Sequence, residues 1–198
     1  MRRTLGGVLL AAGMAAALFA LPVWAASDPS RLIETVAARV TEIVKTRTGA
    51  DREAAIRQVL HDNFDLPYMG RMALGTHWNQ ASAEQRARFL AAVETSEARA
   101  YSERLGQYAA GSLIVDKVIA RTNGQWTVDS RLNLAGGQPI KLEWDVRDSG
   151  QGPRIADVKI AGVSMFLTRR ADFDSYIQRT GGTVEPLVEE LEARVSRR

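Results

Sequence analysis

Few side chains in this sequence are equipped for bond-making chemistry. There are no cysteines, so disulfides, thiolate-ligated metals and a thiol nucleophile are all excluded. The only histidines are His61 and His77. His61-Asp62 has the makings of an acid–base pair, but adjacent residues on a helix point apart and read as surface. His77 and Trp78 follow a helix end and read as loop packing. Gly162-Val163-Ser164 opens like a nucleophile elbow, yet Phe166 stands where the second glycine belongs. Glu189-Glu190 reads as a solvated helix face. No glycine loop followed by lysine is present to cradle a phosphate. These residues predict no catalytic site, no metal and no cofactor.

The remaining signal is apolar and must be read through the elements that carry it. Leu32, Ile33, Val36, Val40, Ile43 and Val44 recur at helical spacing, with Asp28 or Ser30 as the cap. Ile56, Val59, Leu60 and Phe64 mark a second helix opened by Asp51. Asp65-Leu66-Pro67 starts a third, with proline in its first turn. Ser82 and Gln85 form a capping box ahead of a long helix carrying Phe89, Val93, Tyr101, Leu105 and Tyr108.

The period then falls to two. Leu113 to Arg121 reads as a strand. Trp126, Val128, Leu132 and Leu134 alternate with polar residues, Ser130 being the one polar residue on the apolar face. Ile140, Leu142, Trp144 and Val146 alternate likewise, as do Ala156, Val158 and Ile160. Asn123-Gly124, Gly136-Gly137 and Ser149-Gly150 separate the four strands, as in an antiparallel meander. Two further helices follow, around Phe173, Tyr176 and Ile177 and around Leu187, Val188 and Leu191. The fold class is α+β: a curved four-stranded antiparallel sheet with helices packed on one face.

The first 25 residues have a separate role. Arg2-Arg3, the apolar run Leu5–Leu21 and Val23-Trp24-Ala25 follow the order of a cleaved secretory signal peptide. Residues 26–198 then form a single domain. Cleavage removes two arginines and no acid, lowering the net charge from +3 to +1. A chain so close to neutral lacks the electrostatic footprint of a nucleic-acid binder.

Two segments resemble the MlaC family of periplasmic phospholipid-binding proteins, also called toluene-tolerance proteins. The first runs from Asn63-Phe64-Asp65-Leu66 through Met72-Ala73-Leu74-Gly75 and His77-Trp78 to Ser82-Ala83-Glu84-Gln85-Arg86-Ala87-Arg88-Phe89. The second comprises Gly137-Gln138-Pro139-Ile140, Ala156-Asp157-Val158-Lys159-Ile160-Ala161-Gly162-Val163-Ser164 and Arg170-Ala171-Asp172-Phe173. Thr76-His77 departs from the Arg-Tyr frequent in the family, and Arg169 from a frequent Tyr.

The resemblance implies an NTF2-like or cystatin-like cup and a periplasmic carrier with acyl chains held between sheet and helices. It implies as partners a phospholipid, with two acyl chains, an inner-membrane ABC transporter complex and an outer-membrane lipoprotein–porin complex. Some relatives are hopanoid-linked, so another lipid stays open, as does a cup-shaped enzyme of the same fold. The residues expected at the lipid are Met72, Phe89, Val93, Tyr101, Leu105, Val128, Leu142, Trp144, Val158, Ile160, Val163 and Phe166. Arg169 and Arg170 are expected at the entrance.

Overall fold

The computed structural model describes residues 28–106, 111–134 and 136–197. The expected signal peptide and Tyr108 lie outside the described residues. Five helices come first: α1 Pro29–Thr46, α2 Gly49–Asn63, α3 Leu66–Leu74, α4 His77–Gln80 and α5 Ala83–Leu105. The strands β1 Ser112–Ala120, β2 Gln125–Asn133, β3 Ile140–Asp148, β4 Pro153–Ile160 and β5 Val163–Ser164 come next, then α6 Met165–Arg179 and α7 Glu185–Ser196.

Local chemistry sets the helix starts. Asp28 caps α1 by accepting the Ser30 amide at 2.9 Å, and Asp65 caps α3 by accepting the Tyr68 amide at 3.1 Å. Ser82 and Gln85 make both bonds of the capping box on α5. The start of α2 differs from expectation. It lies at Gly49 behind Thr48, and no side chain caps it. The single turn α4 has no counterpart in the sequence pattern, because four residues are too few to show a period.

The sheet is antiparallel in the order β1-β2-β3-β4-β5, one strand more than the alternation indicates. Ala161 and Gly162 both adopt left-handed φ, 50° and 83°. The chain therefore reverses at once, and Val163 and Ser164 pair back onto Ile160 and Lys159. Two residues cannot display alternation, so β5 has no pattern to read.

Two bulges interrupt the register, and the second corrects an expected face. Asp116 is skipped in the β1–β2 register and Ala156 in the β3–β4 register. Each extra residue reverses the inward–outward parity of the strand beyond it. Past the second bulge Ile155, fully buried, stands opposite Val146 on the inner face. Ala156, expected inside with Val158, instead borders a groove on the outer face. On the inner face Trp144 lies opposite Val128 and Leu142 opposite Ser130. Ser130 is buried there because its hydroxyl accepts the Trp144 indole N–H at 2.9 Å.

The buried apolar side chains form two clusters. One lies between the inner face of the sheet and α1, α2 and α5, with Ile33, Ile43, Ile56 and Ala98 among its members. The other joins α3, α5, α6 and α7, with Phe89, Phe173, Ile177 and Val188 buried in it. Polar ties hold α7 in place. Arg88 of α5 donates to both carboxylate oxygens of Glu192 and to Glu185. Arg99, also on α5, donates to the carbonyls of Arg194, Val195 and Arg197 at the end of α7.

Candidate functional site

The first cluster is not filled. A cavity of about 230 Å³ lies between the inner face of the sheet and the helices α1, α2 and α5. Voids in packed cores rarely exceed a water, and this space is several times larger. Two helices and two strands build most of its walls by their periodicity. Helix α1 supplies Val36, Val40 and Val44 at intervals of four, and α2 supplies Ile56, Val59 and Leu60. The strands supply every second residue: Ile140, Leu142 and Trp144 from β3, Val158 and Ile160 from β4. Among the described residues no charged side chain lines this cavity, and its polar side chains are Thr41, Tyr101 and the already bonded Trp144.

A second cavity of about 80 Å³ adjoins it. Leu60, Phe64, Tyr101, Val158 and Met165 line both, so they form the shared wall. The smaller cavity is bounded by α3, α5 and α6, and it carries charge: Glu94 and Glu97 from α5 and Arg169 from α6. The Arg169 Nε donates to Glu97 at 2.5 Å, and Nη1 donates to Asp172 at 3.3 Å. The Glu97 bond raises the Arg169 pKa above its ordinary value, against the opposing effect of burial. Burial, and secondarily the Glu97 charge, push the Tyr101 hydroxyl up to about 12.

Six of the twelve apolar residues expected from the sequence, Tyr101, Leu105, Leu142, Trp144, Val158 and Ile160, line the larger cavity. Val93 and Phe166 line the smaller one. The other four line neither. Phe89 is fully buried in the second cluster, edge-on to Phe173 with ring centroids 5.4 Å apart. Its place on α5, three turns before Tyr101, gives it a different neighbour from the cavity residues. Met72 is half-buried on α3. Val128 is buried within the first cluster without reaching the void. Val163 is exposed, because the turn at Ala161–Gly162 carries it out.

The two arginines part company. Arg169 reaches the smaller cavity, while Arg170 is exposed and lies beside Gly75, with Ala171 and Asp174, in a separate surface hollow. The α1 and α2 walls of the cavity and Glu97 are not among the residues expected from the sequence. Their helical stripes are legible there, but nothing in a stripe separates cavity lining from core.

The residues weighed for chemistry have structural occupations. Ser164 caps α6 by accepting the Leu167 amide at 3.0 Å, and donates its hydroxyl to Asp157 at 2.5 Å. Asp157 also accepts the amides of Val158 and Phe166, fastening the end of β4 to the start of α6. His77 Nε2 lies 2.9 Å from Asp174, and His61 Nδ1 lies 3.7 Å from Glu94. Among the described residues there is no grouping of three metal-ligating His, Asp or Glu side chains, and no helix long and apolar enough to cross a membrane.

The family model of the MlaC protein matches residues 31–193, which include every wall of both cavities. The chain belongs to the MlaC family. Among solved structures, this MlaC-family chain is similar to a phospholipid-binding protein from Ralstonia solanacearum, solved in complex with a phospholipid. The TM-score is 0.74 at 21% identity, covering 86% of this chain and 98% of that one. The likeness establishes a shared fold. No curated protein was found to match by sequence.

Proposed function

We propose that this MlaC-family protein is a periplasmic lipid carrier and not an enzyme. The observation that carries the reading is the apolar cavity between sheet and helices, several waters in volume and without a charged side chain among the described residues. An exposed acyl methylene costs about 0.8 kcal/mol in water, so a lipid leaves a bilayer only into such a space. The phospholipid held by the Ralstonia solanacearum protein of the same fold supports the choice of ligand. On this reading residues 1–25 direct export and are removed, and residues 26–198 work as one domain. Tyr101, Leu105, Leu142, Trp144, Val158 and Ile160 contact acyl chains. The carrier passes phospholipid between an inner-membrane ABC transporter complex and an outer-membrane lipoprotein–porin complex, maintaining outer-membrane lipid asymmetry. A carrier makes and breaks no bond, which is consistent with Ser164 and Asp157 being engaged in capping α6.

The test is mass spectrometry of the native protein purified without detergent. A bound diacyl lipid is the expected result; a hopanoid in its place would change the cargo and keep the carrier. Leu142 stands on the inner face opposite Ile160, so Leu142→Glu places a charge among the tails and is expected to abolish lipid retention. A Leu142→Glu protein with wild-type circular dichroism that still retains lipid would overturn the assignment of the cavity.

A further inference from the structure

The charged corner of the smaller cavity has a composition that selects among headgroups. Its charged lining is two carboxylates, Glu94 and Glu97, and one guanidinium, Arg169. Arg169 is already compensated twice, by Glu97 at 2.5 Å and by Asp172 at 3.3 Å. His61, 3.7 Å from Glu94, is the other basic group against these acids, and it is mostly solvent-exposed. Arg170, the next residue on α6, faces the hollow beside Gly75 instead. Glu97 is largely buried, with 18% of its side chain exposed, and Arg169 is about one-third exposed.

Resting on the lipid-carrier reading, we infer that this corner is a headgroup site for a zwitterionic phospholipid, and that Glu97 sets the preference. A headgroup that brings both a phosphate and an ammonium exchanges one set of ion pairs for another. Its phosphate takes the Arg169 guanidinium, which presents a planar fork of donors suited to it. Its ammonium takes the carboxylate of Glu97 that the guanidinium releases, with Glu94 beside it. A headgroup that brings only negative charge displaces Glu97 from Arg169 and offers hydroxyl donors but no cation in return. It leaves a mostly buried carboxylate without a counter-charge, the costly half of breaking an ion pair. The tails are indifferent to this exchange, since the larger cavity carries no charge among the described residues. The corner also adjoins the apolar cavity, with Tyr101, Val158 and Met165 lining both.

The experiment loads the full exported protein from vesicles holding equal amounts of phosphatidylethanolamine and phosphatidylglycerol with identical acyl chains. Native mass spectrometry then reads total occupancy and the ratio of the two lipids. Wild type is expected to enrich phosphatidylethanolamine about threefold, the size of a partly exposed ion pair. Glu97→Gln, which keeps shape and removes the charge, is expected to bring the ratio to one or invert it without lowering occupancy. Arg169→Gln is expected to lower retention of both lipids. Equal uptake of the two by wild type overturns the inference and leaves the carrier intact, as does a Glu97→Gln ratio identical to wild type. Failure of wild type to take up either lipid overturns both.

Discussion

At the residue scale, polar groups in an apolar interior have to find partners, and Ser130 shows the consequence. It is the one polar residue on the inner face of β2, and it is fully buried. Its hydroxyl is the acceptor for the Trp144 indole. Ser130→Ala is expected to strand that donor and destabilise the fold by about 1–3 kcal/mol, read as a lowered urea midpoint with unchanged slope. Tyr101 gives a pH effect of definite sign. Its hydroxyl titrates near 12 in the folded chain and near 10 unfolded. Below pH 10 both states hold the proton and the group is silent. Between pH 10 and 12 only the unfolded chain sheds it, so stability falls through that window, by about 2 kcal/mol. Denaturation of Tyr101→Phe across the same range is expected to lack this part of the loss.

At the element scale, much of the assembly depends on which helix a long side chain reaches. Arg99 projects from α5 to three carbonyls at the C-terminus of α7 and to Glu53 of α2 at 3.4 Å. It satisfies acceptors that a helix end leaves bare. Arg99→Ala is expected to speed hydrogen exchange in the last two turns of α7 severalfold while leaving the sheet protected. Uniform exchange across the chain would show that α7 does not depend on this anchor. The Asp157 knot is the other junction of this kind. It joins β4 to α6 through a buried carboxylate, which explains an Asp and a Ser seven residues apart without assigning them chemistry.

At the scale of the whole molecule, two clusters divide the labour. The cluster under the sheet holds the larger void, while the helical cluster around Phe89 and Phe173 borders only the smaller one. A cavity kept open forfeits contacts that a filled core would make. Val40→Phe, pointing from α1 into the void, is therefore expected to raise the melting temperature of the lipid-free protein and to lower lipid occupancy. A packed core gives the opposite, since overpacking destabilises. Calorimetry of delipidated protein with parallel lipid extraction separates the two.

The sequence by itself determined the features that act over a few residues. The caps at Asp28, Asp65 and Ser82 and the alternation of β2 and β3 are local, because a cap spans three residues and a pleat two. The order of helices, strands and helices arises from them, and with it the α+β class. Tertiary structure decided the features that depend on distant partners. The bulge at Ala156 turned that expected inner residue outward, since register is settled between strands and not along one. An apolar stripe states that a face is buried, but not whether the space against it is filled, so Phe89 and Tyr101 look alike on α5. One became core and the other cavity wall because different helices cover the two ends of α5. Arg169 is readable as a cation near the last strand. Its partner Glu97 lies 72 residues away, and only the packing of α6 against α5 brings that carboxylate to it.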